Sequence, residues 1–294
     1  MGSRIIDQIG NTPLVDASNL ISKENVRLLL KLEGNNPGGS VKDRPVLNMI
    51  TEALKRGDIK EGDTLVEATS GNTGIALAYI SRVFGLHMKL IMPENSTKER
   101  VDTMRAYGAE VILTSSDIGI EGSRDLAIKL QEEKGYTLLN QFENNDNWKA
   151  HYKTTGPEIY NDTNGEITHF VSAMGTTGTI TGTATFLKEK DQNITIVGAQ
   201  PKDGSRIPGI RKWLPAYVPG IFNRQLVDQI IEVSEEEAKA TTQRLAREEG
   251  VFAGMSSGGA VAVALKFAEQ LEQGTIVAII CDRGDRYLSS DLFA

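Results

Sequence analysis

Seven short apolar segments recur along the chain, and they constrain the fold more than any other feature of the sequence. Most are rich in Val, Ile and Leu without strict alternation, as expected for strands buried on both faces. Helical patterns lie between them, as in 72–85, 97–108 and 234–250. This alternation predicts an α/β protein with parallel sheets and helices on both faces. The predicted strands are 26–33, 63–68, 87–92, 109–114, 167–174, 194–200 and 275–282.

The composition of the chain excludes several classes of protein. Its 294 residues are enough for a large core and favour two domains. A hydrophobic fraction of 39% and a charged fraction of 24% are ordinary for globular proteins, so disorder is not expected. The net charge of -7 argues against a nucleic acid as the main partner, which would favour a basic surface.

The sequence also predicts the cellular setting of the protein. No window approaches the roughly 20 apolar residues of a membrane helix, so no membrane association is expected. The start, "MGSRIIDQIG", lacks the apolar run of a secretory signal. A single cysteine, Cys281, excludes an internal disulfide and suits a reducing compartment. We therefore expect a soluble cytoplasmic protein.

Four loops rich in Gly, Ser, Thr or Asn lie where strands are predicted to end or helices to begin. Open parallel sheets bind their ligands at the carboxyl ends of the strands, so these loops are candidate binding segments. In the first of them, Ser40 is expected to cap a helix that carries Lys42 in its first turn. The four loops are 33–45, 67–74, 172–182 and 254–268.

The loop 172–182 has the features of an anion site. Glycines let backbone N–H groups converge, threonines add hydroxyl donors, and the following helix contributes partial positive charge. The loop contains no lysine, so a phosphate held here would meet neutral donors alone. The same residues are consistent with a simple N-capped turn, and both interpretations stay open at this point. The candidate donors are Gly175, Thr176, Thr177, Gly178 and Thr179.

Two other loops are weaker candidates when each is taken alone. The loop 67–74 offers hydroxyl donors to a carboxylate, but a capped helix start has the same composition. The loop 254–268 is typical of a helix cap with room for close packing. The hydroxyl groups concerned are those of Thr69, Ser70, Thr73, Ser256 and Ser257.

Nucleotide and metal sites are not supported by the sequence. A P-loop requires G-x-x-x-x-G-K-[ST], whereas Ser40 and Val41 separate Gly39 from Lys42. No G-x-G-x-x-G fingerprint follows the first predicted strand. Metal-ligand spacing is absent, and we expect a structural or surface role for each histidine: His87, His151 and His169.

The chain thus combines a candidate phosphate loop without a lysine and a lysine that lies in a different loop. One cofactor needs these two features separately. Pyridoxal phosphate forms a Schiff base between its aldehyde and a lysine, while its phosphate is held some distance away. Pyridoxal 5'-phosphate is therefore the predicted cofactor, with Lys42 as its lysine.

Eight motifs together resemble the cysteine synthases, or O-acetylserine sulfhydrylases, in their B isoform. The resemblance covers nearly the whole chain, from Asn11 to Ser289. It implies fold type II, similar to the tryptophan synthase β subunit, with two open parallel-sheet domains and the cofactor in the crevice between them. The motifs are "NTPL", "KLEGNNPGGSVKDR", "EATSGNTGIALA", "QFENNDN", "TTGPEI", "MGTTGTITG", "SSGGAV" and "CDRGDRYLS".

The resemblance also implies a role for the residues of these motifs. Lys42 corresponds to the Schiff-base lysine, Asn72 to the asparagine at the cofactor's 3′ oxygen, and Ser256 to the serine at the pyridine nitrogen. The loop 175–179 corresponds to the phosphate loop. The groups that receive the substrate carboxylate correspond to Thr69, Ser70, Asn72, Thr73 and Gln141.

The implied architecture is a homodimer in which a small domain closes on the substrate. Residues 1–12 and 35–145 would form this mobile domain, which carries the carboxylate loop. Residues 13–34 and 146–294 would form the larger domain, which carries the phosphate loop.

The implied reaction is a β-replacement that makes L-cysteine from O-acetyl-L-serine and sulfide through an α-aminoacrylate intermediate. Lys42 would act as the general base at Cα, which requires a neutral amine. The B isoform resembled here accepts thiosulfate as well, and Arg211, with Lys212 in support, is a candidate to attract such an anion. Solvated surface charges are the alternative for both. Cys281 is expected to be an inert buried thiol.

Other reactions on the same scaffold stay open. O-phosphoserine is an alternative substrate, and serine/threonine dehydratase is an alternative activity. A cystathionine β-synthase generally carries extra regulatory sequence that this chain lacks. A catalytically idle protein that binds an acyltransferase tail is disfavoured by the intact Lys42 and Asn72.

Overall fold

Two β-sheets form the framework in a computed structural model that describes residues 2–69 and 71–294. The larger sheet has the strand order β1-β2-β10-β7-β8-β9, and the smaller one has the order β5-β4-β3-β6. The strands are β1 (Leu14–Asp16), β2 (Val26–Leu32), β3 (Thr64–Ala68), β4 (His87–Pro93), β5 (Glu110–Thr114), β6 (Thr137–Leu138), β7 (His169–Ala173), β8 (Thr195–Pro201), β9 (Gln229–Val233) and β10 (Gly274–Ile280).

The α-helices alternate with the strands along the chain, as expected for an α/β fold with helices on both faces of its sheets. Both faces of each sheet carry helices, which confirms the predicted fold class. The helices are α1 (Asp43–Arg56), α2 (Asn72–Val83), α3 (Lys98–Ala106), α4 (Gly119–Lys134), α5 (Asn145–Lys153), α6 (Thr155–Asp162), α7 (Gly178–Lys190), α8 (Glu235–Glu248) and α9 (Met255–Ala268).

The large sheet shows how alternate strand residues serve two cores. On β10, Ile276 and Ala278 pack with α8 and α9, whereas Val277 and Ile279 pack with α6 and α7. Because successive side chains of a strand point to opposite faces, both sets must be apolar. This double burial explains why the seven predicted strands lack a polar face, and all seven are present in the structure.

The seven predicted strands pair in the parallel sense, as expected, and one strand outside that prediction does not. β1 pairs with β2 in the antiparallel sense. Only residues 17–25 connect these two strands. This segment is too short to form the helical crossover that neighbouring parallel strands need. The strands β1, β6 and β9 escaped the sequence pattern because they are short or only partly buried at sheet edges.

The smaller sheet lies within 35–145 of the chain, and the strands of the larger sheet lie within 13–34 and 146–294. The division into a small mobile domain and a larger domain stays a prediction.

The helices α8 and α1 begin in different ways. The capping box of α8 is present: Glu237 N donates to Ser234 Oγ at 3.2 Å, and Ser234 N donates to Glu237 Oε2 at 2.7 Å. Ser40, by contrast, is not the cap of α1. That helix begins at Asp43, so Lys42 is the residue before the helix and does not lie in its first turn.

A buried cluster of charges lies directly beside the lysine segment. Arg44 donates to Glu33 Oε2 at 2.6 Å and to Glu158 Oε1 at 2.6 Å, and Thr12 donates to Glu33 Oε1 at 2.6 Å. The side chains of Arg44 and Glu33 are 1% and 0% exposed. Burial raises the pKa of Glu158, but its bonds to Arg44 and the charge of Lys31 outweigh that effect and lower it to about 2. The cluster joins β2, α1 and α6.

We expect Arg44→Met to lower the free energy of unfolding by about 3–5 kcal/mol, because it leaves Glu33 buried without its charge partner. The matched control is Arg244→Met, which breaks an exposed pair with Glu248 within α8 and should cost at most about 0.5 kcal/mol. Urea unfolding followed by circular dichroism compares the two variants. Equal midpoints for both would contradict the assigned role of Arg44.

Candidate active site

The four glycine-rich loops meet at one cavity of about 280 Å³ between the two sheets. The ends of β3, β7 and β10 face this cavity, as expected for open parallel sheets. Most of the predicted site residues line it together: Lys42, Thr69, Asn72, Thr73, Gln141, Gly175, Thr176, Thr177, Thr179, Arg211 and Ser256. Gly178 lies behind them at the start of α7. Ser70 was also predicted here, but it lies outside the residues that the structure describes.

Lys42 is held at the junction of the two sheets. Val41 N donates to Cys281 O at 2.8 Å, and Ser40 forms an antiparallel bridge with Asp282. Burial lowers the pKa of Lys42, and the negative charge of neighbouring acidic groups only partly offsets that effect. The cavity therefore favours a neutral amine at this position, which is the form that acts as a base or a nucleophile.

The loop before α7 is shaped to bring backbone donors to one point. Thr177 has a left-handed backbone with φ of 68° and lies at the N-cap of α7. A Cβ at Gly175 would lie 2.7 Å from the carbonyl oxygen of Gly209, and one at Gly178 would lie 2.1 Å from Asn147 Oδ1. Only glycine fits at either place. The helix N-terminus and the threonine hydroxyls suit an anion.

The opposite wall is formed by the loop after β3 and the start of α2. Thr73 donates to Gln141 Oε1 at 2.9 Å, so these two predicted residues are in direct contact. Thr69, Thr73 and Gln141 are buried polar residues. The Thr69 hydroxyl and the Gln141 amide supply donors at this wall, and the Thr73 hydroxyl holds the Gln141 side chain in place. Donors of this kind suit a carboxylate.

The segment 201–220 crosses the mouth of the cavity. Arg211 N donates to Met174 O at 2.8 Å, and Trp213 Nε1 donates to Gly175 O at 2.8 Å. These two bonds attach the segment to the loop before α7. The Arg211 guanidinium lies 5.7 Å from the Trp213 ring centre. Lys212 does not face the cavity. It pairs with Asp203 and Glu232 at 2.7 Å each, so the expected support for Arg211 is absent.

Several residues of the site were missed by sequence reasoning. His151 contacts Thr179 Oγ1 at 3.3 Å and Thr155 Oγ1 at 2.9 Å, and burial together with nearby positive charges holds its pKa well below the usual range. Gly209, with φ of 89°, packs against Ser256. Asp282, Phe142 and Tyr287 lie within two of the quoted motifs, but no role was assigned to them. No motif contains Arg124, which lines the cavity together with Phe142 and Tyr287.

Comparisons with known proteins agree with this geometry. The family model described as "Pyridoxal-phosphate dependent enzyme" matches residues 5–282. The chain belongs to the family of pyridoxal-phosphate dependent enzymes. Cysteine synthase B of Pseudomonas aeruginosa is 58% identical over 289 residues, which are 98% of this chain and 97% of that protein.

Two further relatives extend the comparison. Cysteine synthase B of Salmonella typhimurium is 58% identical over 285 residues, 97% of this chain and 94% of that protein. The crystal structure of cysteine synthase from Entamoeba histolytica matches this chain with a TM-score of 0.95 and 38% sequence identity. The match covers 100% of this chain and 91% of the Entamoeba chain.

The residues fit the cofactor of this family. Pyridoxal phosphate requires a lysine with a neutral amine and a separate anion cradle, and the cavity contains both. Across 2–69 and 71–294, no cluster of His, Cys, Asp or Glu is arranged to hold a metal ion. No helix in the described part of the chain is long and apolar enough to cross a membrane.

The environment of Cys281 indicates that its thiol reacts slowly. Cys281 is half-buried and lines the cavity, whereas a buried thiol was expected. Desolvation raises the pKa of this thiol to about 11, although the charge of Lys42 acts in the opposite direction. At pH 8 only about one thiol in a thousand is then ionised, against roughly a quarter for an ordinary cysteine. We expect 5,5′-dithiobis(2-nitrobenzoate) to react with the folded protein about 100-fold more slowly than with free cysteine.

The control is the same protein unfolded in guanidinium chloride, in which the single thiol of each chain should react at the ordinary rate. A folded protein whose thiol reacts as fast as free cysteine would show that Cys281 is an activated group and not an inert one.

Proposed function

We propose that this protein is a cysteine synthase that makes L-cysteine from O-acetyl-L-serine and sulfide. One observation carries the proposal: the side chain of Lys42 shares a single cavity with the threonine-rich loop at α7 and the hydroxyl-rich loop at α2. The first loop suits a phosphate and the second suits an amino-acid carboxylate. The relatives named cysteine synthase B, at 58% identity over nearly full length, support the same reaction.

The proposed cofactor contacts follow from the walls of the cavity. Lys42 would bind the aldehyde of pyridoxal phosphate, Asn72 its 3′ oxygen, and Ser256 its pyridine nitrogen. A neutral hydroxyl at that nitrogen does not supply the charge that would protonate the ring. The phosphate would lie against the donors of Gly175, Thr176, Thr177, Gly178 and Thr179.

The substrate carboxylate is proposed to bind at the start of α2. Thr69, Ser70, Asn72 and Gln141 would donate to its oxygens, and Thr73 would donate through its backbone N–H. The Thr73 hydroxyl donates to Gln141 Oε1 at 2.9 Å, which ties this loop to the segment after β6 and would position the Gln141 amide before the substrate arrives.

Lys42 is the proposed acid–base group. Pyridoxal phosphate, when bound, withdraws electrons from Cα and so makes its proton acidic. The freed amine of Lys42 would remove that proton, and the substrate would lose acetate from Cβ. After sulfide adds to Cβ, the same amine would return the proton to Cα. Burial favours the neutral amine that the first of these steps needs.

The choice of the sulfur donor is proposed to depend on the mouth of the cavity. Arg211 lines the cavity and makes no ion pair among the described residues, so its charge is available to an anion such as thiosulfate. Thiosulfate would lead to S-sulfocysteine in place of cysteine. Because Lys212 pairs with carboxylates outside the cavity, we assign this role to Arg211 alone.

We further propose that the protein is a homodimer and that it works in the cytoplasm, which suits a chain with one cysteine. β-Replacement on O-phosphoserine and the elimination reaction of a serine/threonine dehydratase are the competing activities. These activities would use the same cofactor and the same carboxylate loop as a cysteine synthase. They can therefore be distinguished only by the substrate consumed and the product formed.

The experiment that tests the proposal follows the visible absorbance of the cofactor-bound protein. O-Acetylserine should shift the band, and sulfide should then restore it while L-cysteine accumulates. A band that ignores O-acetylserine but shifts with O-phosphoserine would favour that substrate. Release of pyruvate without any response to sulfide would identify a dehydratase.

In the same assay, Lys42→Ala should lower turnover by more than the ~10²–10⁴ that one acid–base group supplies, because covalent attachment of the cofactor is lost as well. The variant should still bind pyridoxal phosphate weakly through the loop at α7. Lys202→Ala, which removes a half-exposed lysine that pairs with Glu237, is the control. Near-normal turnover of Lys42→Ala would remove this residue from the mechanism.

Arg211→Ala should raise the KM for thiosulfate about 10-fold and change the KM for sulfide much less, because thiosulfate carries more charge and more atoms to the mouth of the cavity. Lys212→Ala serves as the matched control and should leave both KM values near those of the wild type. Equal effects of Arg211→Ala on the two donors would show that this guanidinium does not select the donor.

A further inference from the structure

The side-chain amide of Asn72 lies between two charged groups from the far end of the chain. Asn72 Nδ2 donates to Asp282 Oδ2 at 2.7 Å, and Asn72 Oδ1 accepts a hydrogen bond from Arg286 Nη1. Asn72 begins α2 beside the smaller sheet, whereas Asp282 and Arg286 follow β10 of the larger sheet. The two charged residues therefore connect the segment after β10 to one neutral side chain at the start of α2.

This arrangement sets the orientation of the amide. The anionic carboxylate accepts from the N–H end, and the cationic guanidinium donates to the oxygen end. If the amide turned over, its oxygen would face a carboxylate and its NH₂ group would face a guanidinium. Both contacts would then be repulsive, because carboxylates only accept hydrogen bonds and guanidinium groups only donate them. One orientation is strongly favoured.

The two charged groups are themselves held in place. Asp282 is 1% exposed, and its Oδ2 also accepts from the Tyr287 hydroxyl at 2.8 Å. Asp282 forms the bridge with Ser40 two residues before Lys42, and Arg286 donates a second bond to Gly38 O. The segment that orients Asn72 therefore also positions the segment that carries Lys42.

The amide has one hydrogen left after these contacts. An NH₂ group has two hydrogens, and Asp282 accepts only one of them. Asn72 lines the cavity next to Lys42, so the second hydrogen is available to an acceptor within that cavity. A fixed donor at this point needs no reorganisation when a ligand binds.

We propose that Asp282 and Arg286 are positioning residues that hold Asn72 with its free N–H directed at the bound cofactor and substrate. This inference rests on the proposed function, because it takes Asn72 as a group that contacts them. Neither charged residue needs to touch the reacting atoms. Their effect passes through the orientation of one amide.

The test uses cofactor-bound Asp282→Ala and Arg286→Ala variants. Each should lower kcat by about 10- to 100-fold, as small misplacements at an active site do, and change the KM for O-acetylserine less. The visible band of the bound cofactor should shift as well, because a donor at its 3′ oxygen is no longer fixed. Asp282→Asn keeps an oxygen that can accept from Asn72 and should recover most of kcat.

Two matched controls lie in the same segment. Arg283 and Asp285 pair with each other at 3.3 Å and make no contact with Asn72. Arg283→Ala and Asp285→Asn should leave kcat and the cofactor band as in the wild type. If these variants caused the same losses, the segment would act through its overall packing and the positioning role would be refuted.

Double variants separate a role through Asn72 from a role in structure alone. In the Asn72→Ala background, Arg286→Ala should lower kcat by less than about 2-fold further, because coupled residues are not additive. An equal loss in both backgrounds would overturn the inference, as would unchanged spectra and kcat in Asp282→Ala and Arg286→Ala. Thermal melting of the cofactor-free variants should remain close to that of the wild type, and a large fall in Tm would likewise favour a structural role.

Failure of the inference and failure of the proposed function give different results. If Asn72→Ala alone leaves the cofactor band and kcat unchanged, then the proposed contacts of Asn72 are wrong and the inference falls with them. If Asn72→Ala alters both but the charged residues do not matter, only the inference is wrong and the proposed function stands.

Discussion

The hydrogen bond from Val41 N to Cys281 O, at 2.8 Å, ties the lysine segment to the end of β10. The adjoining bridge between Ser40 and Asp282 extends this contact in the manner of a short added strand. Because β10 lies in the middle of the larger sheet and α1 leads into the smaller one, this contact places Lys42 between the two sheets. The other loops of the site share one cavity with the amine because Lys42 is fixed at that point.

The environment around that amine balances two opposing effects. Burial disfavours the ammonium form, while the charges of nearby acidic groups favour it. One of these acids, Glu33, is paired elsewhere: it accepts bonds from both Arg44 and Thr12. The ion cluster at Arg44 thereby does more than stabilise the fold. It keeps an uncompensated carboxylate away from a group that must lose its proton to act.

Much of the fold and most of the site could be predicted from the sequence. The seven long strands were visible because each has two buried faces, and the glycine-rich loops were visible because anion cradles need residues without a Cβ. The antiparallel pairing of β1 was not visible, since three residues carry no period. The start of α1 was misplaced because Ser40, the one serine of this loop, has the side chain of a typical helix cap, whereas the helix begins three residues later at Asp43.

The sequence by itself determined the class of fold and the cofactor, because these depend on residue types and on local spacing. Only the tertiary structure decided that Asp282 and Arg286 form hydrogen bonds with Asn72. It also decided that Arg211 faces the cavity while Lys212 pairs with carboxylates outside it. In the same way, it placed His151 against Thr179 of the loop before α7. The physical reason is distance along the chain. Contacts between residues some 210 positions apart leave no local pattern, and they exist only once both sheets have formed.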